Sequence, residues 1–275
     1  MKKKIIILFS MLLTVAVLCM LFALTSQQNT IQNINQAIEE NDIERLEVLI
    51  PKVRDLNMRP YLIPLDRVNQ PPLFTACCKG NWEAVQILLD AGADVNCTNI
   101  WDDMTPLMCC LAYAPRETRF ELAYYLIDQG ADVTYTHGTG YSVLSYALRS
   151  VGTGDKWDAK EEKAQLDFVK YMAERGLNLL TCDVGYSLIF DAAYANNVSV
   201  LDYLINECGC NVNEVMMPEQ YSALIFATRA NAHEAVAYLL EQGIDSSICS
   251  SEGKTAYDYA VKYGYQEIAE LLNPN

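Results

Sequence analysis

Residues 72–96 read PLFTACCKGNWEAVQILLDAGADVN, two short apolar runs separated by a glycine turn and closed by a second glycine and a polar turn. The closing phrase recurs along the chain. Residues 88–96 read LLDAGADVN, 126–134 LIDQGADVT, 204–213 LINECGCNVN and 239–245 LLEQGID. Before each marker glycine the apolar residues stand at helical spacing: Val85, Leu88 and Leu89; Leu122 and Leu126; Phe168, Val169 and Met172; Val236, Leu239 and Leu240. Glycine after such a run marks a helix end that needs a left-handed backbone. The marker glycines Gly92, Gly130, Gly176, Gly209 and Gly243 lie 38, 46, 33 and 34 residues apart. This is a period of about 33 with insertions in two copies. A unit this short cannot bury its apolar face alone, so the copies must stack and shield one another.

Upstream of each second helix lies a shorter one with a readable start. Thr105-Pro106 supplies a capping hydroxyl and a first-turn proline, and Ser142, Ser187, Ser222 and Thr255 supply the hydroxyl alone. Small residues follow, such as Ala76-Cys77, Ala192-Ala193 and Ala227-Thr228, as close helix packing requires.

On these residues the chain resembles the ankyrin-repeat family, whose unit is a helix beginning Thr-Pro-Leu-His, a turn, a second helix, Gly-Ala-Asp-Val-Asn and a projecting β-finger. The likeness extends over about residues 31–273. The motif histidine is replaced in every copy, by Phe74, Met108, Ser145, Phe190, Ile225 and Asp258. The resemblance implies an all-α solenoid over residues 27–275, with an N-terminal cap at 37–50 and a C-terminal cap at 253–272. Insertions at 114–118 and 151–163 fall between the helices of their units, the second a charged loop.

Residues 5–24, IIILFSMLLTVAVLCMLFAL, are uninterruptedly apolar behind Lys2, Lys3 and Lys4. As a helix this run reaches about 30 Å, enough to span a bilayer and longer than the apolar part of a typical cleaved signal. The expectation is a signal anchor over residues 1–26, single-pass in the inner membrane of a bacterium, with the repeats in the periplasm. The alternative is secretion to the periplasm after cleavage. Beyond the three lysines the chain carries 17 basic against 35 acidic residues, a net of −18. That balance excludes nucleic acid as a natural partner, and serves solubility or the attraction of a basic protein.

Cysteines Cys77, Cys110, Cys208 and Cys210 stand where the repeat has small packed residues, which makes them fillers. An oxidising compartment also permits disulfides. The nine cysteines beyond Cys19 fix no pairing by spacing, but Cys208-Gly209-Cys210 could close a local bridge, and the Cys77-Cys78 helix neighbours the Cys109-Cys110 helix in any such stack.

No catalytic pattern competes with the repeat reading. Phosphate-cradling loops, nucleophile elbows and zinc-protease helices are absent, and His137 and His233 stand apart. The chain is therefore expected to be no enzyme and to need no cofactor, metal or small-molecule substrate. Its work lies on a surface. In the family's arrangement the fingers and the exposed side of the short helices form one concave face, the expected site of partner binding. The motif maps Cys78, Leu111, Arg149, Tyr194, Arg229 and Lys262 to the same exposed position along it. The fingers add Trp101, Tyr141 and the pair Met216-Met217. Asp191 is an acid on the inner side of a short helix, structural or ligand-binding. Trp101, Tyr141, Arg149, Tyr194, Met216 and Arg229 are the expected contacts for a protein partner. The expected function is a tethered protein-interaction module; an inhibitor of a periplasm-acting toxin, or a support protein for a periplasmic enzyme, are its alternatives.

Overall fold

The two-helix unit at residues 72–96 takes shape for the reasons its residues suggest. In the computed structural model, which describes residues 2–58, 70–99, 103–138, 140–149, 159–180 and 187–273, Pro72 opens a short helix and Gly80 closes it at φ 64°. The Asn81 side chain then accepts the Ala84 N–H and starts the second helix, which buries Ala84, Val85 and Leu88. Gly92 turns the chain at φ 88°, a conformation that a Cβ would strain.

The helices in chain order are α1 (Lys2–Glu39), α2 (Ile43–Leu49), α3 (Pro72–Lys79), α4 (Trp82–Asp90), α5 (Pro106–Tyr113), α6 (Arg119–Asp128), α7 (Val143–Leu148), α8 (Ala159–Glu174), α9 (Ile189–Tyr194) and α10 (Val198–Asp202). After a hairpin of β1 (Val215–Met216) and β2 (Tyr221–Ser222) come α11 (Ala223–Arg229), α12 (His233–Glu241), α13 (Ala256–Tyr263) and α14 (Gln266–Leu272). They form two compact units, one of Met1–Cys110 with Leu122–Ala131, the other of Leu111–Glu121 with Asp132–Asn275.

Of the five hydroxyls that the sequence marks as short-helix starts, four cap their helix. Thr105 Oγ1 accepts the Met108 N–H at 3.3 Å, and Ser222 accepts from Ile225. Ser142 and Thr255 build reciprocal capping boxes with Ser145 and Asp258. Ser187 departs from the expectation. Helix α9 begins two residues later with Leu188 as its cap, and Ser187 Oγ accepts the Ile189 N–H while lying 3.2 Å from Cys210 Sγ. The turns after the second helices tie neighbouring copies together. Asn57 Oδ1 accepts the Asp94 N–H at 2.7 Å, and Asn213 Oδ1 accepts that of Asp245 at 2.8 Å.

Two further expectations are corrected. The N-terminal cap does not begin at residue 37. Its leading helix is the end of α1, where Ile31, Ile34, Ala37 and Ile38 are buried, and α2 is its second helix. The residue-26 boundary therefore falls inside one continuous helix. Second, residues 159–163 are the first turns of α8, not loop. Glu162 is buried there and accepts the Ser199 N–H at 2.7 Å, and Glu161 pairs with the buried Arg119 at 3.3 Å, so side chains that look like a solvated charge run are packing partners. Residues 204–213 also carry one residue more than their counterparts, and the extra residue is absorbed by a π-helical turn at Tyr203–Glu207.

The histidine replacements Phe74, Met108, Ser145, Phe190 and Ile225 are buried, so apolar packing takes over most of the positions where the family motif has a polar ring. Of the cysteines, Cys78 and Cys109 form a disulfide with Cα atoms 5.2 Å apart, joining α3 to α5. Cys208 and Cys210 are not joined to each other. Burial pushes the Cys77 thiol well above its ordinary value, with Cys110 and Cys97 adding to the effect, so it serves as filler and not as a nucleophile. Among the described residues no helix is long and apolar enough to cross a membrane. The side chains of residues 1–12 and 18–22, which include most of the expected anchor, lie outside that set.

Candidate functional site

The recurring position seven residues after each capping hydroxyl holds Arg149, Tyr194, Arg229 and Lys262, counted from Ser142, Ser187, Ser222 and Thr255. It lies at or near the end of α7, α9, α11 and α13, and the first three of these side chains line an open groove of about 860 Å³. The β1–β2 finger supplies the opposite wall with Met216, Met217, Pro218 and Glu219, and Tyr141, Tyr221, Phe226 and Tyr263 complete the lining. The finger is held in place at both ends. Met216 pairs with Tyr221 across the hairpin, and Glu219 O accepts the Ser251 N–H at 2.8 Å.

Two guanidinium groups organise the groove. Arg149 donates through Nε to Asp191 and through Nη1 to Tyr141 Oη at 3.2 Å. Its Cζ lies 5.0, 4.5 and 5.6 Å from the ring centres of Tyr141, Tyr194 and Phe226. Asp191 is fully buried and also accepts Ser145 Oγ at 2.6 Å. Burial pushes its carboxyl up from the ordinary value, against the opposing pull of Arg149 and Ser145. Arg229 stands exposed over the Tyr221 ring at 4.6 Å and is 5.9 Å from that of Tyr259. Among the described residues it has no carboxylate at ion-pair distance. Lys262 lies beyond it, 5.8 Å from the Tyr259 ring.

Of the six residues singled out in the sequence, Tyr141, Arg149, Tyr194, Met216 and Arg229 therefore line one groove. Trp101 lies outside the described residues. Two members of the mapped series do not present a contact surface. Leu111 has no exposed area, and Cys78 is tied into the disulfide. Asp191 orients Arg149 from below and does not itself face the groove.

The sequence reading passed over Phe226, Tyr221 and Tyr263. Phe226 had a usable signal: it stands three residues before Arg229, as Asp191 stands before Tyr194, and that spacing places the side chains on one helix face. It forms the floor, 5.6 Å from Tyr221 at 87° and 5.6 Å from Phe190.

The family described as "Ankyrin repeats (3 copies)" matches residues 34–137, 73–181 and 189–275. Among proteins of similar sequence, the NAD-capped RNA hydrolase NUDT12 of Homo sapiens and Macaca fascicularis is 46% identical over 52 residues, 19% of this chain and 11% of that protein. The Dauer abnormal formation protein 25 of Caenorhabditis elegans is 27% identical over 119 residues, 43% of this chain and 29% of that one. The chain thus spans less than a third of the length of these relatives, and the hydrolase likeness is a partial one that carries no activity with it. Among solved structures, the human ASB11 ankyrin repeat domain aligns with a TM-score of 0.61 at 19% identity, covering 88% of this chain and 98% of that one, a likeness of fold. With its capped helix pairs, left-handed glycine turns and a family match over most of its length, this chain belongs to the ankyrin-repeat family.

Proposed function

We propose that the chain is a membrane-tethered module that holds a partner protein in the groove between the β1–β2 finger and the ends of α7, α9 and α11. The observation that carries this reading is the convergence of Tyr141, Arg149, Tyr194, Met216 and Arg229 on one open groove. Arginine and tyrosine are the residue types that dominate interface energetics. Here the arginines are already stacked on rings, so ordering them on binding costs little further entropy. Methionine on the finger adds an adaptable apolar contact.

The tether rests on the apolar run 5–24 behind three lysines and on the helical backbone that continues through it into the first unit. With the lysines retained in the cytoplasm, the repeats would face the periplasm of a bacterium. The Cys78–Cys109 disulfide supports an oxidising surrounding. The reading involves no catalysis and no cofactor.

Photo-crosslinking in the native membrane tests it. A benzophenone amino acid in place of Tyr194 should give a covalent adduct with a partner protein, and the same group in place of Glu241 on α12 should not. Adducts from position 241 with none from 194 would reject the groove.

A further inference from the structure

The chain as a whole is strongly acidic, with a formal net charge of −15, yet the rim of its groove is not. Arg229 and Lys262 stand exposed, 5.9 and 5.8 Å from the Tyr259 ring, neither with a carboxylate at ion-pair distance among the described residues; Glu252, the acid whose charge both cations feel, is itself paired with Lys254 at 2.6 Å. Asp191 is buried beneath Arg149 and bonded to its Nε, so its carboxyl is not offered to the groove. Among the described residues Glu219 on the finger is the one acid in the lining. A basic ligand, which the overall charge would attract, meets Arg229 in the lining, with Lys262 next in sequence to the lining residue Tyr263.

On the reading that the groove is the binding site, we propose that its occupant is a protein segment carrying an aspartate or glutamate directly beside an aromatic or large apolar residue. The carboxylate bonds to the guanidinium of Arg229, whose Cζ lies 4.6 Å over the Tyr221 ring and which is exposed. The neighbouring apolar side chain fills the space bounded by Tyr194, Met216 and the Phe226 floor. Each half of the motif accounts for a feature that the other leaves unexplained. A bare anion has no use for an aromatic and methionine wall, and a purely apolar segment leaves Arg229 partly desolvated without a counter-charge.

The test uses an array of immobilised octapeptides in a glycine-serine background, with all twenty residues at two adjacent central positions, probed with the full chain in mild detergent. Peptides pairing Asp or Glu with Phe, Tyr, Trp, Leu or Met should give the strongest signals. The best of them, labelled and measured in solution by fluorescence anisotropy, should weaken by about tenfold or more with Arg229→Gln and much less with Arg229→Lys. Its affinity should also fall as salt is raised. Thermal unfolding of Arg229→Gln should match the unaltered chain, which separates loss of contact from loss of fold. Preference for basic pairs, absence of any acidic-apolar preference, or an affinity indifferent to Arg229→Gln would each overturn the proposal. If that happens while the Tyr194 crosslink still captures a partner, the ligand class is wrong and the groove stands; if the crosslink fails too, the groove itself is wrong.

Discussion

Arg149, at the end of α7, donates through Nε to the carboxylate of Asp191, a residue of α9 with no exposed surface. The pair joins two successive short helices and sets the guanidinium at the centre of three rings, Tyr141, Tyr194 and Phe226. Removing a partner from a buried pair leaves the other without compensation. Asp191→Ala is expected to cost about 3–5 kcal/mol of stability. Denaturant unfolding checks it, and a loss below 1 kcal/mol, well under that range, would show that the pair is replaceable by water.

The same carboxylate should mark the pH dependence of stability. Burial raises the pKa of Asp191 from its ordinary 3.8, with Arg149 and Ser145 pulling the other way. A carboxyl whose folded-state pKa is raised contributes stability that is fully present below 3.8 and is lost as pH rises through the folded value. The stability difference between the unaltered chain and Asp191→Asn should therefore shrink as pH is raised from that point. A difference that grows with pH would mean that the attraction of Arg149 outweighs the burial.

The disulfide between Cys78 and Cys109 closes a span of 31 residues. Loop-closure entropy assigns such a cross-link about 2–4 kcal/mol. Cys78→Ala should lower stability by that amount under non-reducing conditions and make it insensitive to reductant. Peptide mapping without reduction should recover residues 78 and 109 in one linked fragment.

The π-helical turn at Tyr203–Glu207 makes an unusual deletion tolerable. Removing Glu207 restores the spacing from leucine to glycine seen at Leu88 and Gly92, allowing the turn to relax to an α-helix. It sacrifices the exposed Lys170–Glu207 pair at 3.5 Å, worth at most about 1 kcal/mol. The melting temperature of the deletion should stay within a few degrees of the unaltered chain, whereas deletion of Leu239, buried in the uniform helix α12, should unfold its unit.

Protease added to spheroplasts should digest the repeats while leaving cytoplasmic markers intact. Protection of the repeats in intact spheroplasts would reverse the proposed topology.

The repeat was legible because its signals are local. A glycine with positive φ, a hydroxyl before a helix and apolar residues at helical spacing need only neighbouring residues to act, and Gly92, Ser142 and Leu239 behave as read. The groove was half legible for the same reason, since a recurring register position brings Arg149, Tyr194 and Arg229 along one face. What failed depended on partners distant in sequence. Leu111 and Glu162 are buried though no pattern around them announces it, and Ser187, one residue before the cap, lies against Cys210, 23 residues later in the chain. The role of Asp191 lay in a guanidinium 42 residues earlier in the chain.

The most direct test of the binding groove is the affinity of a captured partner for variants on its two sides. Tyr194→Ala and Arg229→Ala in the groove are to be compared with Glu241→Ala on α12 and Glu267→Ala on α14, all at exposed positions. Isothermal titration should show the groove pair each losing about 1–2 kcal/mol of binding and the outer pair close to none. A partner that ignores the groove pair and loses affinity with the outer pair would contradict the account.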